Sequence, residues 1–119
     1  MYSSNLREII PVEQLWINLE SFENRLYEIS SSKDSYLNDI SQYLIKAGGK
    51  RFRPICTLLA GELGNGDNKK IIDAAVAVEL IHLGSLYHDD VIDEAETRRS
   101  VQSANVKWNG TLSILAGDY

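Results

Sequence analysis

The run from Ile71 to Leu83 most limits what this chain can fold into. Ile71, Ile72, Ala74, Ala75, Val76, Ala77, Val78, Leu80, Ile81 and Leu83 leave it almost no polar face. One apolar stripe would make a surface helix, whereas apolar side chains all round require a helix enclosed by others. Glu79 and His82 interrupt the run. A buried polar group left unpaired costs about 1–3 kcal/mol, so each is expected to meet a hydrogen bond or a ligand.

The neighbouring segments read as further helices. Pro11 opens a stretch in which Val12, Leu15, Trp16, Leu19, Phe22, Leu26 and Ile29 keep three-and-four spacing, and Ser30 to Lys33 break it. Asp34 is expected to cap a second helix through Tyr36, Leu37, Ile40, Tyr43 and Leu44, which Gly48-Gly49 ends. Ile55 to Leu63 predicts a short apolar helix, after which Asp67 or Asn68 caps the long helix that begins near Lys69. Beyond Arg99 the segment SVQSANVKWNG is expected to be irregular or weakly helical, with Thr111 capping a last helix, LSILAGDY. No strand-like alternation lasts long enough to build a sheet, so the class is all-α, and 119 residues make one domain at most.

Charge narrows the partners. Twelve Lys and Arg against seventeen Asp and Glu leave −5, which argues against a nucleic-acid binder, so any phosphate ligand must be held locally. Cys56 is the only cysteine; it excludes an intrachain disulfide, suits a reducing compartment and is expected as a small core residue. The opening MYSSNLREII has no basic-then-apolar signal pattern, and no apolar run approaches ~18 residues. These features predict a cytoplasmic protein with no transmembrane segment.

The chemistry concentrates in ELIHLGSLYHDDVIDEAETRR, Glu79 to Arg99. On a helix advancing ~100° per residue, His82, Leu86, Asp89 and Asp93 fall on one stripe, while Asp90 is rotated off it and is expected to be a weaker or supporting metal contributor. Magnesium is usually held by one or two carboxylates, waters and substrate phosphates, and Asp89 and Asp93 can supply such a partial shell. Arg98 and Arg99 follow closely, cations beside a cluster that would otherwise repel an anion. A second basic group lies in GGKRFRP, Gly48 to Pro54. Gly84 and Ser85 are poor helix residues just before the acidic cluster, at a cost of about 0.5–1 kcal/mol for the glycine, which points to space wanted beside the helix.

HDDVIDEAETRR, preceded one helical hairpin earlier by GGKRFRP, resembles the trans-isoprenyl diphosphate synthase (polyprenyl synthetase) family, whose first aspartate-rich motif is DDxxD followed by paired arginines. The resemblance covers roughly Gly48 to Tyr119. It implies the amino-terminal helices of an isoprenoid-synthase helical bundle. It also implies a magnesium-dependent head-to-tail prenyltransferase that condenses isopentenyl diphosphate with an allylic prenyl diphosphate by ionisation, condensation and elimination. Asp89 and Asp93 would bind the magnesium that grips the allylic diphosphate, and Arg98 would contact that diphosphate. Lys50, Arg53, His82 and Arg99 would bind isopentenyl diphosphate. Residues four and five before the first aspartate floor the product pocket in this family. Here they are Ser85 and Gly84, both small, which implies a product of C20 or longer, although Tyr87 could restore a stop.

The chain reaches Tyr119 before any second aspartate-rich motif, so the resemblance implies the amino-terminal portion of a single synthase domain, incomplete for catalysis alone. Self-association through its open apolar surface, as a homo-oligomer such as a dimer, is expected. Ser100 stands where a glycine commonly follows the arginine pair. Two readings stay open beside this one: a non-catalytic diphosphate-binding fragment or subunit, and a class I terpene cyclase, which shares DDxxD but has no isopentenyl site.

Overall fold

The computed structural model describes residues 4–119; the start of the sequence, on which the absence of a signal pattern was partly read, lies outside the described residues. The described residues form seven helices and one two-stranded ribbon. In order these are α1 (Ser4–Ile9), α2 (Glu13–Ser30), α3 (Ser35–Lys46), α4 (Phe52–Glu62), α5 (Asn68–Ile92), β1 (Thr97–Arg98), β2 (Val101–Gln102), α6 (Ala104–Lys107) and α7 (Gly110–Asp118). The all-α expectation holds, with the ribbon as its one departure.

Two compact units divide the chain. One gathers residues up to Leu26 with Lys50–Glu79, and the other gathers Tyr27–Gly49 with Leu80–Tyr119. In the first, α2 buries Leu15, Leu19, Phe22 and Leu26 at the spacing that predicts an amphipathic helix, and α4 buries Pro54, Ile55 and Leu58. Cys56, between those residues in sequence, is exposed, which corrects its placement in the core: it lies on the outward side of α4. In the second unit α3 buries Ile40, Leu44 and Ile45, and the last turns of α5 bury Leu83, Leu86 and Tyr87.

Side-chain caps mark the starts of α3, α5 and α7. Asp34 takes the Leu37 N–H at 2.9 Å and starts α3 as expected, and Gly48, at φ 92°, lies beyond its end. Asp67 accepts from Lys69 N–H at 2.9 Å and so stabilises the start of α5. The last helix departs from expectation. Asn109, not Thr111, is the cap: its backbone is extended and its side chain accepts from Leu112 N–H at 2.8 Å. Ser30 also stays inside α2 rather than breaking it, and its backbone carbonyl receives the Ser41 hydroxyl at 3.0 Å.

The segment after the acidic cluster folds into a hairpin. Thr97 pairs with Gln102 and Arg98 with Val101, and the two residues between, Arg99 (φ 53°) and Ser100 (φ 64°), both sit in the left-handed region. That is the backbone a two-residue hairpin loop with type I′ twist requires. Ser100 thus takes by strain the conformation that glycine would take freely.

Helix α5 has 25 residues, and its most apolar window has a mean hydropathy of 1.3, so by length and composition it could cross a membrane. The expectation that no stretch is long and apolar enough is corrected on that point. Its apolar surface is nevertheless broken by buried Glu79 and by the acidic pair at its end.

Candidate active site

How α5 ends decides which carboxylates face solvent. Glu94 takes φ 51°, its N–H meets Val91 O at 3.3 Å, and the Ala95 N–H meets Asp90 O at 2.9 Å. This crossed pair is a Schellman closure with a non-glycine residue in the left-handed position. Asp93 becomes the C-cap, tied to the previous turn by its N–H on Asp89 O at 2.8 Å. Asp89 and Asp93 are exposed. Leu86, a turn earlier on the same stripe, is buried, so the stripe passes from core into solvent along its length.

Asp90 goes the other way. It is 1% exposed and accepts from Arg98, whose Nε lies 3.0 and 3.3 Å from its two oxygens and whose Nη2 lies 2.6 Å from Oδ1. That hydrogen-bonded grip raises the pKa of the Arg98 guanidinium above its ordinary value, and the charge of Asp90, with those of Asp89 and Asp93, adds to it. Asp90 therefore aims Arg98, with both of its oxygens engaged in doing so. Arg99, in the hairpin turn, donates from Nη1 to Leu44 O at 2.8 Å and to Gly48 O, closing the carbonyl end of α3. Tyr43 of α3 donates to Gln102 O at 2.7 Å, and Ser103 Oγ donates to Ala95 O at 2.5 Å. The hairpin is thus laced to α3 on one side and to the close of α5 on the other.

Lys50 and Arg53 belong to the other unit, and both are exposed. Between them sits a residue that the sequence reading passed over. Arg51 is 4% exposed at φ 53°, with Nε 2.7 Å from Glu23 Oε1 and Nη1 3.2 Å from Glu79 Oε1. The signal for it was present, since a glutamate on an apolar helix needs a partner, and Glu79 has one here. His82 is half-buried, and its carbonyl accepts the Ser85 hydroxyl at 2.6 Å.

Gly84, Ser85 and Tyr87 come together with Ile45, His88 and Ala116 around a cavity of about 680 Å³ in the second unit. The Tyr87 phenol donates to Ile40 O at 2.5 Å and accepts from Leu44 N–H at 3.3 Å, anchoring α5 to α3. Burial pushes its pKa up to about 12. Above pH ~10 the unfolded chain gives up this proton while the folded chain keeps it, so stability is expected to fall between pH ~10 and ~12, by about 1.4 kcal/mol per pH unit. Urea unfolding at pH 9 and pH 11.5 would measure the loss. An equal loss in Tyr87→Phe would assign it elsewhere.

Two exposed carboxylates one turn apart suit a metal that keeps its waters. Among the described residues no three His, Cys, Asp or Glu side chains gather as a closed metal site, so a fully protein-ligated ion such as structural zinc does not fit. Magnesium, which takes one or two carboxylates and completes its shell with water and phosphate oxygens, does fit.

Comparison with known proteins gives a family model described as Polyprenyl synthetase, matching residues 34–119. The chain is 47% identical over 87 residues to the nonaprenyl diphosphate synthase of Mycobacterium tuberculosis, covering 72% of this chain and 26% of that protein. It is 40% identical over 102 residues to heptaprenyl diphosphate synthase component 2 of Bacillus subtilis, covering 86% of this chain and 29% of that one. Among solved structures, a polyprenyl synthase from Caulobacter crescentus, complexed with calcium and isoprenyl diphosphate, superposes with a TM-score of 0.84 at 34% identity over 90% of this chain and 33% of that one. The chain spans about a quarter to a third of the length of these relatives.

Proposed function

Since this chain belongs to the polyprenyl synthetase family, we propose that it serves head-to-tail prenyl transfer, joining isopentenyl diphosphate to an allylic prenyl diphosphate to give a polyprenyl diphosphate. The observation that carries the reading is the sorting of the acidic cluster: Asp89 and Asp93 exposed, with Asp90 withdrawn to hold Arg98 beside them. Asp89 and Asp93 would hold magnesium, which when bound draws charge from the departing diphosphate. Arg98, aimed by Asp90, offers the same diphosphate a fixed cation that needs no reorganisation as charge develops. Of the residues expected at the second diphosphate, Lys50 and Arg53 belong to one unit and His82 and Arg99 to the other. The reaction asks for no protein nucleophile, and the cluster offers none. The small Gly84 and Ser85 beside the cavity support a product of C20 or longer; we assign the reaction to the cytoplasm.

The test is isotopic: magnesium, labelled isopentenyl diphosphate and farnesyl diphosphate are incubated with the protein and the extract is resolved by chain length. For a chain that spans a quarter to a third of its relatives, magnesium-dependent binding of a bisphosphonate, lost in Asp89→Ala, is the expected result, and labelled products beyond C15 would show that an assembled form completes the site. No product, together with no magnesium-dependent binding of a bisphosphonate, would overturn the reading.

A subunit role has one observation in its favour, the relative named as component 2 of a synthase. Self-assembly is supported by the exposed Ile81 (75%) and Ile92 (76%) on α5. A light-scattering mass of one chain would count against the homo-oligomer.

A further inference from the structure

We propose that Arg51 is a positioning residue: gripped by Glu23 and Glu79, it pins the loop so that Lys50 and Arg53 stand ready for a diphosphate. The inference rests on the proposed function and names the part of the chain that presents the cations of one of its two diphosphate sites.

Glu23 comes from α2 and Glu79 from α5, so one guanidinium ties the residue that leads into α4 to two helices. The grip on Glu23 is two-pronged, Nε to Oε1 at 2.7 Å and Nη2 to Oε2 at 3.4 Å. A lysine could match the charge but not the planar fork. The left-handed backbone at residue 51 turns its side chain inward while Lys50, Phe52 and Arg53 on either side remain exposed.

Stability alone is a poor account of this cluster. Well-packed apolar residues often replace a buried ion cluster at no loss, and arginine is a poor choice for a left-handed backbone, where glycine or asparagine fits better. What the guanidinium supplies is direction, since it fixes the chain between two helices and with it the backbone of the exposed Lys50 and Arg53. Long flexible cations bind better when their backbone is fixed before the anion arrives.

The test uses the full chain and two probes, isopentenyl diphosphate and a magnesium-dependent bisphosphonate, both followed by calorimetry. In the triple variant Arg51→Met, Glu23→Leu, Glu79→Leu, a thermal melt at or near that of the parent is expected. Isopentenyl diphosphate affinity should fall about tenfold with bisphosphonate affinity unchanged. Parental affinity for isopentenyl diphosphate, or an equal fall for both probes, would overturn the proposal. If the triple variant does not fold, Arg51→Lys decides, a loss of about threefold or more supporting the pin and unchanged affinity refuting it. Lys50→Ala and Arg53→Ala serve as controls on the underlying reading. If they bind isopentenyl diphosphate like the parent, the failure belongs to the proposed site and not to the pin.

Discussion

Arg51→Met alone is expected to destabilise the protein by about 3–5 kcal/mol, the usual consequence of removing one partner from a buried ion cluster. Glu23 and Glu79 both lie below a tenth exposed, so the variant leaves two carboxylates in the core without the guanidinium that neutralises them. Urea unfolding followed by circular dichroism should show a lower midpoint with an unchanged slope. Adding Glu23→Leu and Glu79→Leu should return most of the loss, because the uncompensated charges go with them. The non-additivity of the three changes is the measure of their coupling. A loss below about 1 kcal/mol for Arg51→Met would mean that water reaches the cluster in solution.

Asp89→Ala should do the reverse, sparing the fold and removing the chemistry. Asp89 is exposed, so its loss should move stability by no more than about 0.5 kcal/mol. If it holds the metal that stabilises the leaving diphosphate, magnesium-dependent bisphosphonate binding should weaken sharply, and turnover by an assembled enzyme should fall on the order of 10²- to 10³-fold. Asp93→Ala should behave alike. Asp90→Ala gives the internal contrast, because it frees Arg98 from a buried carboxylate and should register in the unfolding curve as well as in the rate. Parallel activity loss in all three with no stability difference would erase the distinction drawn between gripping metal and aiming an arginine.

The sequence was legible where one residue decides a local outcome. Asp34 caps a helix because its short carboxylate reaches the next turn, and Glu79 announces a partner because an apolar helix cannot leave it unpaired. It was opaque where tertiary contacts choose among equal local options. Asn109 and Thr111 are both acceptable caps, and only the structure chooses between them. Arg99-Ser100 is not a recognisable hairpin turn, yet Tyr43 and Arg99 bind the hairpin to α3 strongly enough to hold both residues at positive φ. Periodicity separated Asp90 from Asp89 and Asp93 but could not say which direction was inward. Arg98 explains its placement, and reaches it through a turn that the sequence pattern did not show. Among the described residues the non-glycine residues at positive φ are Arg51, Glu94, Arg99 and Ser100, all of them in the basic loop or from the close of the acidic segment onward. Backbone strain gathered this way is common where groups must be held ready before a ligand arrives.

The two small residues ahead of the acidic cluster differ in what they permit. A Cβ on Gly84 would come within 3.0 Å of Gly117 O, and one on Gly117 would come within 2.9 Å of Gly84 O, so α5 and α7 meet there backbone against backbone. Ser85 is exposed on the cavity wall, its hydroxyl turned back to His82 O at 2.6 Å. For an engineer seeking shorter or longer products the pair is therefore one dial and one rivet: bulk at position 85 reshapes the cavity wall, whereas bulk at position 84 first prises two helices apart.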